Sequence, residues 1–182
     1  SDSEETFFAT LTRAANENNV VLFSGGSSVG MRDLGERVIE KLGNPGILVH
    51  GVALKPGKPV IIGLSHGTAI FGLPGHPVSA MVCFELFVDP AIRSFAGIAK
   101  ACKDLTPSVT AIIDRNINSA AGRLDLVRVQ LQKQENTLPL ATPVLGKSGS
   151  ISTLSRAHGY FLIDEQSQGI NKGTQIEVHF LS

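Results

Sequence analysis

Three short segments of the chain combine residues that bind anions, and the first is the loop from Ser24 to Gly30. It follows an apolar segment and precedes a helical pattern. In such a strand–loop–helix arrangement, backbone N–H groups and the helix dipole, about half a charge, attract phosphate, and serine hydroxyls add donors. The loop has neither the G-x-G-x-x-G spacing of dinucleotide-binding proteins nor the lysine of a P-loop. Its spacing therefore predicts a generic phosphate- or carboxylate-binding loop, with a tight turn of small residues as the equal alternative.

The second segment is Lys55-Pro56-Gly57-Lys58-Pro59, in which each lysine precedes a proline. A following proline restricts a residue to extended backbone, so both lysines are held in place. Two ammonium groups about 4 Å apart repel by about 4 kcal/mol at an effective dielectric constant of about 20, and an oxyanion bound between them removes that cost. We predict an oxyanion site here, with a solvated pair of lysines on a loop as the alternative.

The third segment is Leu73–Ala80, a stiff turn that leads into an apolar helix predicted from Val78 to Phe95. Gly75 supplies the bend and Pro77 fixes φ near the helical value, so unpaired N–H groups at a helix N-terminus would favour an anion. His76 would either donate to that anion or cap the helix. An ordinary strand-to-helix turn is the alternative.

Few other residues form a pattern typical of a reactive site. Asp33 is the one carboxylate beside the glycine loop, and it could bind Mg²⁺ next to a phosphate. A helix-capping role, with Glu36 three residues later, explains the presence of Asp33 equally well. The five histidines lack zinc-ligand spacing, and no serine partner suggests a hydrolase triad. The notable cations of the second half, expected to be mostly solvated, are Arg123, Arg128 and Arg156, and the loop Gly146–Ser150 lies near them in sequence.

Residues 1–100 are predicted to form an α/β domain that positions these segments, because helices and strands alternate around the glycine loop as in a parallel sheet. Ser65-His66-Gly67-Thr68 reads as a hairpin-like turn. The predicted elements are a helix at Glu4–Glu17, a strand at Val20–Phe23, a helix that begins at Asp33–Glu36 and ends at Gly43, and strands at Ile47–Leu54, Val60–Leu64 and Ala69–Leu73.

Residues 105–182 are predicted to form a second, all-β domain, because the apolar pattern after Gly97 alternates with a period of two residues. The boundary is expected between Gly97 and Pro107. The predicted strands are Val109–Asp114, Leu124–Gln132, Leu138–Val144, Tyr160–Ile163 and Ile176–Phe180.

Composition excludes several classes of protein. Sixteen basic and sixteen acidic residues balance, whereas a nucleic-acid or anionic-membrane surface needs a basic excess. No apolar run reaches the length of a membrane span, and Cys83 and Cys102 have neither metal-ligand nor disulfide spacing. We expect a soluble, cytoplasmic protein. The chain opens directly on a helical pattern without Met, so we expect it to be incomplete at its N-terminus.

The three segments, in this order, resemble the molybdopterin molybdenumtransferases, the MoeA and gephyrin E-domain family. The tail agrees, with Gly122-Arg123 through Arg128-Val129, Gly146 through Leu154, and Ala157-His158-Gly159. The resemblance implies a three-layer, parallel-type, MogA-like molybdopterin-binding domain followed by a small β barrel. It also implies an enzyme that binds adenylylated molybdopterin with Mg²⁺, inserts molybdate at the dithiolene and releases AMP.

By the family's pattern, Lys55 and Lys58 would hold the molybdate oxyanion and Asp33 would lie near the metal. The implied binding residues for the pterin nucleotide are Ser24, Gly25, Gly26, Ser28, Gly30, Pro74, Gly75, His76, Pro77, Ser79, Arg128 and Ser148, with Arg123 as an alternative to Arg128. The family usually has Asn where this chain has His76 and His158, and a histidine is bulkier and titrates near neutral pH.

The family's full-length enzymes carry further N-terminal domains and an earlier strand and helix, so this chain alone is expected to be inactive. The resemblance further implies a homodimer in the full-length protein and a MogA-like adenylyltransferase as a partner. A non-catalytic molybdopterin-binding sensor or scaffold module is the alternative function.

Overall fold

The computed structural model describes residues 4–25, 29–98, 107–146 and 154–181, and the side chains of residues 29–32 are not described. The chain divides into two compact units. The first comprises Ser1–Val52 and Gly57–Ile98, and the second comprises Ala53–Pro56 and Ala99–Ser182. A four-residue segment from the middle of the first half therefore belongs to the second unit.

The first unit contains a four-stranded sheet with the strand order β1-β5-β4-β2 and helices packed on it. Its elements are α1 (Glu4–Glu17), β1 (Val20–Ser24), α2 (Val29–Leu42), β2 (Pro45–His50), β4 (Ile61–Ser65), β5 (Thr68–Leu73), α3 (Pro77–Cys83), a π-helical turn (Phe84–Val88) and α4 (Asp89–Phe95). The helix predicted at Glu4–Glu17 is confirmed, and the second predicted helix is present and ends at Leu42, one residue before Gly43.

The predicted α/β class is confirmed, and the structure refines the strand directions. Strands β1 and β5 are parallel, whereas β5 pairs with β4, and β4 with β2, in antiparallel fashion. The cause is local: His66 and Gly67 both have positive φ, 49° and 90°, and form a two-residue hairpin turn that returns the chain beside itself. The described sheet is therefore mixed rather than all parallel.

The core of the first unit brings α1 and α2 against the sheet. Buried residues of both helices pack on buried residues of three strands; they are Leu11, Val38 and Ile39 from the helices and Val21, Ile61 and Ile70 from the strands. The Phe23 ring packs edge-on against Phe7, with ring centroids 5.3 Å apart. A Cβ atom would lie 2.7 Å from that ring if it were added to Gly35, and 2.6 Å from it if it were added to Gly72. Because both residues are glycine, the ring fits and α2 approaches the sheet closely.

The helical run predicted from Val78 to Phe95 is present, with a widened turn near its middle. Pro90 has no N–H and its ring would clash with the carbonyl of Leu86 in a regular α-helix. In the structure, the Asp89 N–H donates to the carbonyl of Phe84, five residues earlier, which is the π-helical pattern. The wider turn accommodates the proline without ending the helix.

The second unit is a closed barrel. Among the described residues, five strands form the barrel in the order β10-β12-β6-β9-β8, and β8 pairs with β10 to close it. The short strand β3 pairs with β8 on the edge that does not face β10. The strands are β3 (Leu54–Lys55), β6 (Ser108–Ile113), β8 (Leu124–Gln132), β9 (Leu140–Pro143), β10 (Gly159–Ile163) and β12 (Gln175–Phe180), with a separate pair β7 (Ile117–Asn118) and β11 (Gly169–Ile170). Ala111, Val129, Phe161 and Val178 belong to its core.

Two predicted elements are corrected. The strand predicted at Ile47–Leu54 ends at His50, because Gly51 has a φ of 79°, and Leu54 begins β3 in the other unit. The helix predicted to start at Asp33–Glu36 begins at Val29. None of the helices in the described part of the chain is long and apolar enough to cross a membrane.

Candidate functional site

Three chain segments meet at one end of the sheet in the first unit, which we call the loop edge. Ser24, the last residue of β1, lies beside Leu73, the last residue of β5. On the other side of β5, Gly72 pairs with Ile61, the first residue of β4. The loop after β1, the turn after β5 and the residues just before β4 are therefore brought to the same end of the sheet. Ligands of α/β sheets commonly bind at the carboxyl ends of parallel strands.

The glycine-serine loop leaves β1 at this edge. The Ser24 hydroxyl donates to the carbonyl oxygen of Pro74 over 3.5 Å, a long hydrogen bond that links the loop to the turn after β5. Gly25 is half-buried, and the Gly30 backbone lies in the first turn of α2. Gly26 and Ser28 lie outside the described residues, so the predicted phosphate cradle stays a prediction.

The turn after β5 has the geometry that its prolines predict. Pro74 is buried, Gly75 and His76 are exposed, Pro77 opens α3, and Ser79 is buried in the first turn of that helix. The His76 backbone is extended, with φ of −80° and ψ of 125°, and its side chain makes no capping hydrogen bond. His76 therefore occupies the N-cap position of α3 without capping the helix through its side chain, and contact with an anion stays a prediction.

The Lys-Pro-Gly-Lys-Pro turn is divided between the units. Lys58 is exposed and belongs to the first unit, three residues before β4, whereas Lys55 belongs to the second. The Lys58 carbonyl accepts from the Val52 N–H at 3.0 Å, and the buried Cys83 thiol of α3 donates to the Gly57 carbonyl at 3.4 Å. Burial raises the pKa of Cys83 to about 12, so the thiol keeps the proton that it donates. These bonds fix the backbone beneath Lys58.

Asp33 is an exposed side chain one turn inside α2, so it does not cap the helix. Its carbonyl accepts a long hydrogen bond from the Arg37 guanidinium at 3.4 Å. The described residues contain no group of three or more His, Cys, Asp or Glu that could hold a metal ion. A lone carboxylate fits Mg²⁺ only where phosphate oxygens of a substrate supply further ligands.

Lys55 lies in the second unit beside a buried carboxylate. Strand β3 runs parallel to β8 and places Lys55 opposite Asp125, and the Lys55 Nζ is 3.7 Å from Asp125 Oδ2. Arg123 Nε donates to Asp125 Oδ1 at 2.8 Å and its Nη2 to Oδ2 at 3.4 Å. The Asp125 side chain is 6 % exposed, compared with 58 % for Lys55 and 36 % for Arg123.

Sequence reasoning did not single out Asp125. The signal was present, because Arg123, which directly precedes β8, and Asp125, two residues further on, have opposite charges. The pairing of Asp125 with Lys55 could not be predicted, because it joins two segments about seventy residues apart in sequence.

The two remaining predicted residues of the second unit differ in outcome. The arginines of the second half were expected to be mostly solvated, and Arg128 departs from this: it is 7 % exposed, and burial lowers the pKa of its guanidinium. Ser148 lies outside the described residues. His158, one of the two departures from the family pattern, accepts a hydrogen bond at Nδ1 from the Leu131 N–H at 3.0 Å and so holds the β8 backbone.

Comparison with known proteins agrees with this architecture. Residues 1–94 match the family described as "Probable molybdopterin binding domain", and residues 110–181 match the MoeA C-terminal region (domain IV). A protein of Methanocaldococcus jannaschii, whose name assigns it to molybdopterin biosynthesis, is 34 % identical over 180 residues, which are 99 % of this chain and 41 % of that protein. The molybdopterin molybdenumtransferase of Haemophilus influenzae is 30 % identical over 179 residues, 97 % of this chain and 43 % of its own length.

A solved structure gives the same result. The crystal structure of the molybdopterin biosynthesis MoeA protein from Pyrococcus horikosii is similar with a TM-score of 0.76 and 34 % identity, over 100 % of this chain and 42 % of that one. This chain thus spans about two fifths of the length of the relatives that it matches. Because the family match covers more than half of its length, the chain belongs to the molybdopterin-binding domain family, and in it this domain is followed by a MoeA-type C-terminal region.

Proposed function

We propose that the protein acts in molybdenum cofactor biosynthesis as a molybdopterin molybdenumtransferase, which inserts molybdate into adenylylated molybdopterin and releases AMP. The observation that carries this proposal is the loop edge, where the register of β1, β5 and β4 brings together the glycine-serine loop, the Pro74–Pro77 turn and Lys58. Its three segments are those on which the resemblance to the family rests, and the relative from Haemophilus influenzae is named a molybdopterin molybdenumtransferase.

In this proposal each segment has a separate task. The backbone of the glycine-serine loop, with Ser24, would bind the phosphate side of the pterin nucleotide, because N–H groups before α2 favour an anion. Lys58 would attract the molybdate oxyanion at the loop edge, and the resemblance implies the same task for Lys55. Lysine suits this task, since it is a flexible point charge with three donors. The turn at Pro74–Pro77, with Ser79 behind it, would form a rigid wall.

Asp33 would hold Mg²⁺ together with phosphate oxygens of the substrate, and the ion would supply neutralising charge there. The resemblance implies that Arg128 and Ser148 also bind the pterin nucleotide. The full-length protein would act as a homodimer and receive its adenylylated substrate from a MogA-like adenylyltransferase. These parts of the proposal rest on the family resemblance.

The experiment that tests the proposal measures molybdate-dependent AMP release from adenylylated molybdopterin by the full-length polypeptide that carries this sequence. We expect release by the wild type and a loss of about tenfold or more after Lys58→Ala, since a charge-assisted contact with an oxyanion is removed. Lys133→Ala, at an exposed lysine after β8, is the matched control and should release AMP at the wild-type rate. Pterin binding without AMP release by the wild type would instead indicate a sensor or scaffold.

A further inference from the structure

Asp125, Lys55 and Arg123 form a charged cluster at β3 and β8 that has a buried side and a solvent-facing side. The carboxylate of Asp125 is buried, and both cations that contact it, Arg123 and Lys55, reach toward solvent. Both oxygens of Asp125 accept from Arg123, so the carboxylate is fixed before Lys55 approaches it. One negative and two positive charges leave a net charge of about +1, which faces outward.

The backbone holds Lys55 at this carboxylate. Leu54 and Lys55 pair with Leu124 and Asp125 in parallel register, and the Leu124 N–H donates to the carbonyl of Ala53 at 2.8 Å. A lysine side chain has many rotamers, and binding must restrict them. A fixed carboxylate next to the ammonium group restricts part of that freedom before any substrate arrives.

We propose that Asp125 is a positioning residue for Lys55: its buried carboxylate, clamped by Arg123, holds the Lys55 ammonium ready for the molybdate oxyanion. The inference rests on the role proposed above for Lys55. Because the carboxylate lies beneath the cations, an anion approaching from solvent meets Lys55 and Arg123 first. Asp125 itself does not touch the substrate.

The direction in which anion affinity changes when Asp125 is neutralised shows whether Asp125 positions Lys55 or acts only through its charge. If Asp125 were only a nearby negative charge, its neutralisation would strengthen the binding of an anion. If it positions Lys55, neutralisation releases the ammonium group and weakens binding. Asp125→Asn keeps the size and removes the charge, whereas Asp125→Glu keeps the charge and moves it by one methylene.

The test is a calorimetric titration of the full-length polypeptide with molybdate. We expect about fivefold weaker binding for Asp125→Asn, the order expected when a partly exposed ion pair is lost, and recovery of part of that loss for Asp125→Glu. In a Lys55→Ala background, Asp125→Asn should weaken binding no further. Asp114→Asn is the matched control, because it removes a carboxylate paired with Arg115 from the same unit, and it should leave the affinity unchanged.

A second measurement follows the Lys55 side chain without substrate. Carbon-13 relaxation at Lys55 Cε should show increased mobility in Asp125→Asn and no change in Asp114→Asn. Equal or tighter molybdate binding by folded Asp125→Asn, or unchanged Lys55 mobility, would overturn the inference. If Asp125→Asn does not fold, Asp125→Glu decides by the same two readouts. If the wild type binds no molybdate, the proposed function fails, and the relaxation data still decide whether Asp125 holds Lys55.

Discussion

Cys83 makes stability depend on pH in a range that can be calculated. Its thiol is completely buried in α3, and burial raises its pKa from 9.0 to about 12. Well below pH 9 the folded and unfolded chains both keep the proton, so the full stability is present. Between pH 9 and pH 12 the unfolded chain releases the proton and the folded chain does not, so stability falls as pH rises. The expected loss from this thiol is ~0.1 kcal/mol at pH 8 and ~1.4 kcal/mol at pH 10.

The assay is urea unfolding of the 182-residue chain under reducing conditions at pH 8 and pH 10, compared with Cys83→Ala and Cys83→Ser. Other groups titrate equally in all three proteins and cancel in the difference. We expect the free energy of unfolding of the wild type to fall by ~1.3 kcal/mol more than that of either variant between the two pH values. Equal losses in wild type and variants would refute the reasoning, because they would mean that the thiol ionises as easily in the folded chain.

Two glycines give further predictions from packing. Gly35→Ala should lower the free energy of unfolding by about 1–3 kcal/mol, because its Cβ would lie 2.7 Å from the Phe23 ring. The smaller side chain of Phe23→Leu should relieve part of that loss. An unchanged free energy of unfolding in Gly35→Ala would contradict this packing. Gly159→Ala should cost about 3 kcal/mol or more in thermal or urea unfolding, because its Cβ would collide with the His179 carbonyl where β10 and β12 close the barrel. Gly122→Ala, where a Cβ would meet no atom and only the φ of 90° is unfavourable, is the control and should cost about 1 kcal/mol.

Local pattern was sufficient for most elements of both units. The helix at Glu4–Glu17 and the strand at Leu124–Gln132 have the bounds that periodicity predicts, because each has a clear apolar face and a distinct end. The hairpin at Ser65–Thr68 is equally local, since His66 and Gly67 adopt the positive φ that such a turn requires.

Features that depend on distant pairing could not be predicted in this way. Leu54 continues the apolar run after Ile47, and nothing nearby in sequence indicates that it leaves the first sheet to pair with Leu124. Burial of Arg128 likewise follows from barrel closure, which places it opposite Tyr160 on β10. At the candidate site, local sequence located Ser24, His76 and Lys58, and the register of the strands was needed to place them at one edge.

If the pterin nucleotide binds at the loop edge, two exposed histidines at opposite ends of the same sheet should respond differently to the same substitution. His76 lies at the loop edge, and His66 lies in the hairpin turn at the other end. The measurement is the dissociation constant for adenylylated molybdopterin, by calorimetry on the full-length polypeptide, for His76→Trp and His66→Trp, with thermal melting to verify folding. We expect binding to weaken by about tenfold or more in His76→Trp, because a bulky ring would obstruct the edge, and not to change in His66→Trp. Unchanged binding in His76→Trp, or an equal loss in both variants, would contradict it.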